Sequence, residues 1–163
     1  MRIVMASDHA GFPLKSELIP LVQAAGHTVV DVGTYDTTPV DYPDYAVKAA
    51  EVMLRGQADR GILVCGSGVG ISVAANKIPG IRAGCVADHY SAHQGVEHDN
   101  MNVLVLGGRV TGSAAAADMV RAFLAAQYTG EARHARRLEK VMQIEREAEQ
   151  FRSLARPNTE RLA

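Results

Sequence analysis

The chain has 163 residues, of which 47% are hydrophobic and 21% charged, and its formal net charge is −1. This length suits one domain with a sizeable core, and the balanced charge favours neither nucleic acid nor an acidic membrane surface as a partner. No apolar run approaches the ~20 residues of a membrane span, and the first residues lack the pattern of a signal peptide. Two cysteines, Cys65 and Cys85, predict free thiols in a cytoplasmic protein.

Strands and helices are predicted to alternate along the chain. Apolar runs at "RIVMAS", "HTVVDVG", "RGILVC", "IRAGCVA" and "NVLVLGG" predict five strands. Helical patterns follow at "FPLKSELIPLVQAAG", where Pro20 weakens or kinks the helix, and at "AVKAAEVMLRGQ", "GVGISVAANK", "HYSAHQGVEH" and "SAAAADMVRAFLAAQY". The segment "TYDTTPVDYPDY" is predicted to be a loop. Continuous apolar strands indicate burial on both faces, so we predict a Rossmann-like three-layer sandwich with a five-stranded parallel sheet and helices on both faces.

The C-terminal part differs from the alternating pattern. The segment "ARHARRLEKVMQIEREAEQF" predicts an extra, highly charged helix with apolar residues that need a surface to cover, and a partner subunit is a natural candidate. We therefore expect one domain over residues 1–150, including this helix, and a polar tail over 151–163.

Ligands of parallel α/β sheets bind outside the carboxyl ends of the strands. The polar residues that directly follow the predicted strands are therefore the candidates for a site. They are Asp8, His9, Cys65 to Gly70, Asp88, His89 and Arg109.

The stretch "LVCGSGVGISVAANK" predicts a strand, a glycine-rich turn and a helix. Glycines at 66, 68 and 70 allow the backbone to approach an anion, which the following helix would meet with unpaired N–H groups. The spacing fits a purely structural turn equally well. Because residue 73 is valine and no Lys-Ser/Thr pair follows Gly70, the dinucleotide and P-loop patterns are both absent, and we expect no nucleotide cofactor.

Cys65 stands where the strand meets this turn. A buried cysteine at a strand end often serves only as a small hydrophobic side chain. A turn that leads into a helix N-terminus, however, favours the thiolate form. A thiolate beside N–H groups that can stabilise an oxyanion is suited to act as a base or a nucleophile.

Two further patterns have competing explanations. His89 and His93 have the i, i+4 spacing of a zinc site but lack an obvious third ligand, so solvent-exposed histidines are the simpler interpretation. Arg133 and Arg137 share a helix face in "RHARR" and are either joint phosphate ligands or a solvated basic turn.

Taken together, "SDHAGFPLK", "VDYPDYA", "CGSGVGISVAANKIPGIRA", "DHYSA", "NVLVLGGRVTG" and "RHARR" resemble the ribose-5-phosphate isomerase B family, which includes galactose-6-phosphate isomerase subunits. The resemblance covers about residues 1–145. It implies an aldose–ketose isomerase that needs no cofactor or metal and converts D-ribose 5-phosphate to D-ribulose 5-phosphate through an enediolate. It also implies a homodimer or a dimer of dimers with sites at the subunit interface.

The resemblance assigns roles to individual residues. Cys65 moves the proton between C1 and C2, Ser67 assists that transfer, and His98 opens the sugar ring. The residues implied to bind the substrate are Asp8, His9, Tyr42, Gly66, Gly68, Val69, Gly70, Asp99, Arg109, Arg133 and Arg137.

One position departs from the family pattern. The family's ribose isomerases usually read His-Asn-Asp where this chain reads His98-Asp99-Asn100. A carboxylate facing an anionic intermediate is unfavourable unless a substrate hydroxyl donates to it. The same chemistry on a tetrulose 4-phosphate or hexose 6-phosphate therefore stays open as an alternative. A second alternative is a non-catalytic, flavodoxin-like module that uses the glycine turn only to bind phosphate.

Overall fold

The computed structural model describes residues 1–154, which divide into two compact units, Met1–Thr129 and a second that begins at Gly130. The first unit contains β1 (Arg2–Ser7), α1 (Phe12–Ala24), β2 (Thr28–Asp31), α2 (Tyr42–Leu54), β3 (Arg60–Cys65), α3 (Val69–Ala75), β4 (Ala83–Cys85), α4 (His89–Asp99), β5 (Val103–Gly107) and α5 (Ser113–Ala125). The second contains α6 (Ala132–Arg146) and α7 (Ala148–Leu154).

The five strands form one sheet in the order β2-β1-β3-β5-β4, and every neighbouring pair is parallel. The predicted Rossmann-like α/β class is therefore confirmed. The chain moves outward from β1 to β2 and then returns to the other side of β1 to form β3. This change of direction opens a crevice at the carboxyl ends of β1 and β3, where α/β sheets bind their ligands.

Helices cover both faces of the sheet because successive strand residues point in opposite directions. Met5 and Val64 belong to a core that includes side chains of α1, α4 and α5. Leu63 and Val105 belong to a second core, with side chains of α2 and α3. Burial on both sides accounts for the continuous apolar strands of the sequence.

Some predicted boundaries were wrong. The segment predicted to be loop through Tyr45 becomes helical at Tyr42, because Pro43 occupies the first turn, where its missing N–H costs no helical hydrogen bond. By contrast, the predicted helix that contains Pro20 is confirmed, since α1 continues through that residue. The predicted C-terminal helix is divided into α6 and α7 at Glu147.

The predicted tail over 151–163 is helical in α7 as far as Leu154, and its other residues lie outside those described. The predicted domain boundary at residue 150 remains a prediction. No helix in the described part of the chain is both long and apolar enough to cross a membrane.

A buried ion pair fixes the loop that follows β2. Lys15 of α1 is fully buried, and its Nζ donates to Oδ1 of Asp31 at 2.5 Å and to the carbonyl oxygen of Thr34 at 2.8 Å. The same Asp31 oxygen accepts from the N–H of Gly33. The Lys15 ammonium therefore joins α1, the end of β2 and the start of the segment that leads to Tyr42.

We expect Asp31→Ala to lower the free energy of unfolding by about 3–5 kcal/mol, because it leaves the Lys15 charge buried without its counter-ion. Lys15→Met should lower the free energy of unfolding by less, because it removes the buried charge itself. The remaining Asp31 carboxylate can be hydrated, since its side chain is 27% exposed. Urea unfolding of both variants measures the two losses. An equal or larger loss in Lys15→Met would contradict this explanation.

Candidate active site

An open cleft of about 520 Å³ lies at the carboxyl ends of β1, β3 and β5. The residues that line it are Asp8, His9, Ala10, Tyr42, Cys65, Gly66, Ser67, Gly70, Arg109 and Val110. The topology thus brings together side chains that are far apart in sequence, and most of those predicted for the first unit are among them.

Cys65 is the last residue of β3 and is only 4% exposed. Its sulfur accepts a hydrogen bond of 3.2 Å from the backbone N–H of Gly68. A backbone hydrogen-bond donor is therefore directed at the sulfur inside the cleft. The thiol thus lies at the edge of the glycine turn, at the wall of the cleft.

The turn geometry requires glycine at position 68. Gly68 has φ +83°, in the left-handed region that other residues avoid, and it precedes the first turn of α3. A Cβ placed there would lie 2.8 Å from Sγ of Cys85 and 3.1 Å from the main-chain carbon of Leu106. Any larger residue at position 68 would therefore displace the N–H group that donates to the Cys65 sulfur.

Cys85 differs from Cys65 although the two flank the same glycine. Burial of its sulfur, together with the nearby Cys65, raises the pKa of the Cys85 thiol above its usual value. It does not line the cleft. Cys85 is therefore the less suitable of the two thiols for chemistry at neutral pH.

The end of β5 is attached to the glycine turn by two backbone hydrogen bonds. Gly108 N–H donates to the carbonyl oxygen of Cys65 at 2.8 Å, and Arg109 N–H donates to that of Gly66 at 2.9 Å. The Arg109 side chain passes over the turn, since a Cβ on Gly66 would lie 3.7 Å from its Cδ. A permanent positive charge thereby faces the same cleft as Cys65.

Ser67 and Val69 complete the turn. The N–H of Val69 lies 3.3 Å from Oγ of Ser67 and donates to it, so the hydroxyl is held near the start of α3. Ser67 lines the cleft, whereas the exposed Val69 side chain does not.

Asp8 and His9, which follow β1, are both held by the backbone. Asp8 is 7% exposed, and its Oδ1 accepts from Gly11 N–H at 2.8 Å, which leaves Oδ2 for a ligand. Nδ1 of His9 lies 3.1 Å from the backbone nitrogen of Val40 and 3.2 Å from its carbonyl oxygen. Because Nδ1 can either accept from that N–H or donate to that carbonyl oxygen, the contact orients the His9 ring without fixing its tautomer.

Tyr42 packs against the turn from the start of α2. A Cβ on Gly70 would lie 2.9 Å from Cζ of the Tyr42 ring, so the absent side chain at position 70 makes room for the aromatic ring. Tyr42 is 39% exposed and brings a phenol to the wall of the cleft.

His98 and Asp99 lie at the end of α4 and are not among the residues that line the cleft. Ala92 and Val96 form the buried stripe of α4, and His98 lies on the opposite side of the helix. Nε2 of Gln94 is 2.7 Å from Nδ1 of His98. Asn100, which follows, has φ +51° and ends the helix.

Arg133 and Arg137 lie on α6 in the second unit. Nε of Arg133 forms an ion pair of 2.9 Å with Glu131. Both arginines are exposed, and their phosphate-binding role remains a prediction.

The histidines considered for zinc have carboxylate partners instead. Nδ1 of His89 is 3.0 Å from Asp118, and Nδ1 of His93 is 3.3 Å from Glu97. Residues 1–154 contain no group of three or more His, Cys, Asp or Glu side chains that could hold a metal ion.

Sequence reasoning did not select Ala10, Val110 or Gln94. The first two are neighbours of selected residues, so the quoted motifs already contained them. Gln94 had a detectable signal, because it stands four residues before His98 and shares its helix face.

Comparison with known proteins agrees with this architecture. A family model described as ribose/galactose isomerase matches residues 3–141. Ribose-5-phosphate isomerase B of Escherichia coli is 44% identical, over 88% of this chain and 96% of that protein. Galactose-6-phosphate isomerase subunit LacB of Clostridium acetobutylicum is 41% identical, over 78% and 74% of the two chains.

Solved structures support the same conclusion. Ribose-5-phosphate isomerase B of Clostridium thermocellum superposes with a TM-score of 0.88 at 44% identity, covering 91% of this chain and 99% of that one. The fold and these comparisons define an α/β enzyme. The chain belongs to the ribose/galactose isomerase family, and the predicted activity class, aldose–ketose isomerase, is confirmed.

Proposed function

We propose that this sugar-phosphate isomerase interconverts D-ribose 5-phosphate and D-ribulose 5-phosphate, with Cys65 as the base. The hydrogen bond from Gly68 N–H to the Cys65 sulfur, inside a cleft that also contains Asp8 and Arg109, carries the proposal. The identity of 44% to a ribose-5-phosphate isomerase B supports the choice of sugar.

The reaction requires one proton to move between two adjacent carbons. The Cys65 thiolate removes the proton from C2 of the open-chain aldose, which places negative charge on the oxygen at C1. Backbone N–H groups of the turn from Gly66 to Gly70 stabilise that enediolate, and Ser67 assists movement of the hydroxyl proton. The thiol then returns its proton to C1 and yields the ketose.

The substrate is held by groups of matching chemistry. Asp8 accepts from sugar hydroxyls through Oδ2, while Nε2 of His9 and the Tyr42 phenol form hydrogen bonds with other oxygens of the sugar. Arg109, Arg133 and Arg137 bind the phosphate, for which planar guanidinium groups are well suited.

The proposal includes a homodimer or dimer of dimers with shared sites. His98, assigned to ring opening, lies on the face of α4 opposite its buried stripe and does not line the cleft of its own chain. A second copy would bring His98 and Asp99 to the cleft, so that each site contains residues of two subunits. The cytoplasmic location likewise remains a prediction.

A different sugar phosphate is the main alternative, and Asp99 favours it. Asn100 has a structural explanation, because asparagine tolerates the left-handed conformation that ends α4. Asp99 has no comparable structural explanation, since a carboxylate at a helix C-terminus interacts unfavourably with the helix dipole. Its presence is better explained by a substrate hydroxyl that donates to it.

A phosphate-binding module without catalysis would not need a thiol aligned with an N–H donor.

We expect Cys65→Ala to fold normally and to lose isomerisation of ribose 5-phosphate by about 10²–10⁴-fold or more, the contribution of a positioned base. Cys65→Ser should be similarly impaired, because a hydroxyl keeps the shape but ionises far less readily.

The matched control is Cys85→Ala, which removes the other thiol beside Gly68 and should keep turnover within about twofold of the parent. A coupled assay of ketose formation, with circular dichroism to verify folding, makes the comparison. Near-normal turnover in Cys65→Ala would eliminate Cys65 as the base.

We expect Asp99→Asn to raise kcat/KM for ribose 5-phosphate relative to a tetrose 4-phosphate or hexose 6-phosphate. One charge-assisted hydrogen bond of about 1.5 kcal/mol corresponds to roughly a tenfold change in this ratio. Asp118→Asn removes an equal charge on α5 and serves as the control. A parent that prefers ribose, with a ratio that Asp99→Asn does not move, would refute a specificity role.

A further inference from the structure

Gln94 and His98 form a hydrogen-bonded pair on α4. The two residues are one helical turn apart, and Nε2 of Gln94 lies 2.7 Å from Nδ1 of His98 in a half-buried setting. They lie on the side of the helix opposite the buried stripe of Ala92 and Val96. The pair therefore contributes little to the core of its own unit.

The chemistry of the contact determines which ring nitrogen carries the proton. An amide nitrogen can only donate a hydrogen bond, so Nδ1 of His98 must accept. An accepting Nδ1 has no proton, and the neutral ring then carries its single proton on Nε2. The hydrogen bond also restricts rotation of the imidazole, which fixes the direction of the Nε2–H.

We propose that Gln94 is a positioning residue that holds His98 in the Nε2–H tautomer, so that His98 donates a hydrogen bond to the sugar during ring opening and does not act as the base. This inference rests on the ring-opening role proposed above for His98. It assigns to Gln94 the task of orienting that histidine.

Ring opening moves one proton from the C1 hydroxyl to the ring oxygen as the bond between C1 and that oxygen breaks. In this tautomer, Nε2–H of His98 stabilises the charge that develops on the ring oxygen. The C1 hydroxyl proton passes to the Asp8 carboxylate, which lines the cleft, and from there to the ring oxygen. The electron pair of the hydroxyl bond becomes the new carbonyl bond, so the step is balanced.

A neighbouring pair on the same helix offers a control. His93 and Glu97 are also four residues apart, with Nδ1 of His93 3.3 Å from a Glu97 carboxylate oxygen. Neither His93 nor Glu97 takes part in the contact between Gln94 and His98. Glu97→Gln therefore changes an i, i+4 histidine contact on α4 without changing the proposed one.

The first test is nitrogen-15 NMR of the histidine rings in the full-length protein without substrate. The neutral His98 ring of the parent should show an unprotonated Nδ1 and a protonated Nε2. Gln94→Leu should populate both tautomers, and Gln94→Glu should move the proton to Nδ1, because a carboxylate only accepts. A parent ring with its proton on Nδ1, or no change in either variant, would overturn the proposal.

The second test separates ring opening from proton transfer at carbon. Ribulose 5-phosphate has its O5 esterified and cannot close to a furanose, so exchange of its C1 hydrogen with deuterium oxide requires Cys65 but no ring opening. Gln94→Leu should lower kcat with ribose 5-phosphate by about tenfold, part of the ~10²–10⁴-fold that positioned proton-transfer groups contribute. Its exchange rate, its KM and the activity of Glu97→Gln should stay within about twofold of the parent.

Equal losses in kcat and exchange would show a general structural defect, and an unchanged kcat would show that Gln94 does not serve ring opening; either result overturns the proposal. A parent inactive on ribose 5-phosphate would contradict the proposed substrate instead. The NMR measurement still decides the tautomer in that case, so the two failures are distinguishable.

Discussion

The hydrogen bond from Gly68 N–H to the Cys65 sulfur is the contact on which the site depends. It exists only because Gly68 adopts φ +83° and has no side chain to collide with Cys85 or the backbone at Leu106. That N–H directs a donor at the thiol, at the edge of the turn that the proposed mechanism uses to bind an oxyanion. In the proposed mechanism, one backbone conformation thus serves both the base and the intermediate.

The order of the strands in the sheet brings the other polar side chains into the cleft. Because β1 and β3 are neighbours at the point where the chain changes direction, Asp8 and His9 lie beside Cys65. The hydrogen bonds of Gly108 and Arg109 to the turn bring a guanidinium group from β5. The cleft therefore combines a thiol, a carboxylate, an imidazole and a guanidinium from three strand ends, and backbone hydrogen bonds join the ends of β3 and β5.

Much of this arrangement could be predicted from the sequence. The apolar strands and the polar residues at their ends indicated the sheet and the cleft, since both follow from local pattern and a general rule of parallel sheets. The start of α2 at Tyr42 was missed, because Pro43 reads as a loop residue unless its place in the first helical turn is known. The Gln94 contact and the buried Lys15 depend on side-chain packing, which sequence periodicity does not reveal.

The central claim is that the isomerisation proceeds by proton transfer through the Cys65 thiol, and hydrogen exchange with solvent tests it most directly. The parent protein is incubated with ribulose 5-phosphate in deuterium oxide, and the C1 hydrogens are followed by proton NMR. We predict that one C1 hydrogen is replaced by deuterium and that Cys65→Ala abolishes this replacement. Replacement of the C1 hydrogen in Cys65→Ala at a rate close to that of the parent would contradict the account.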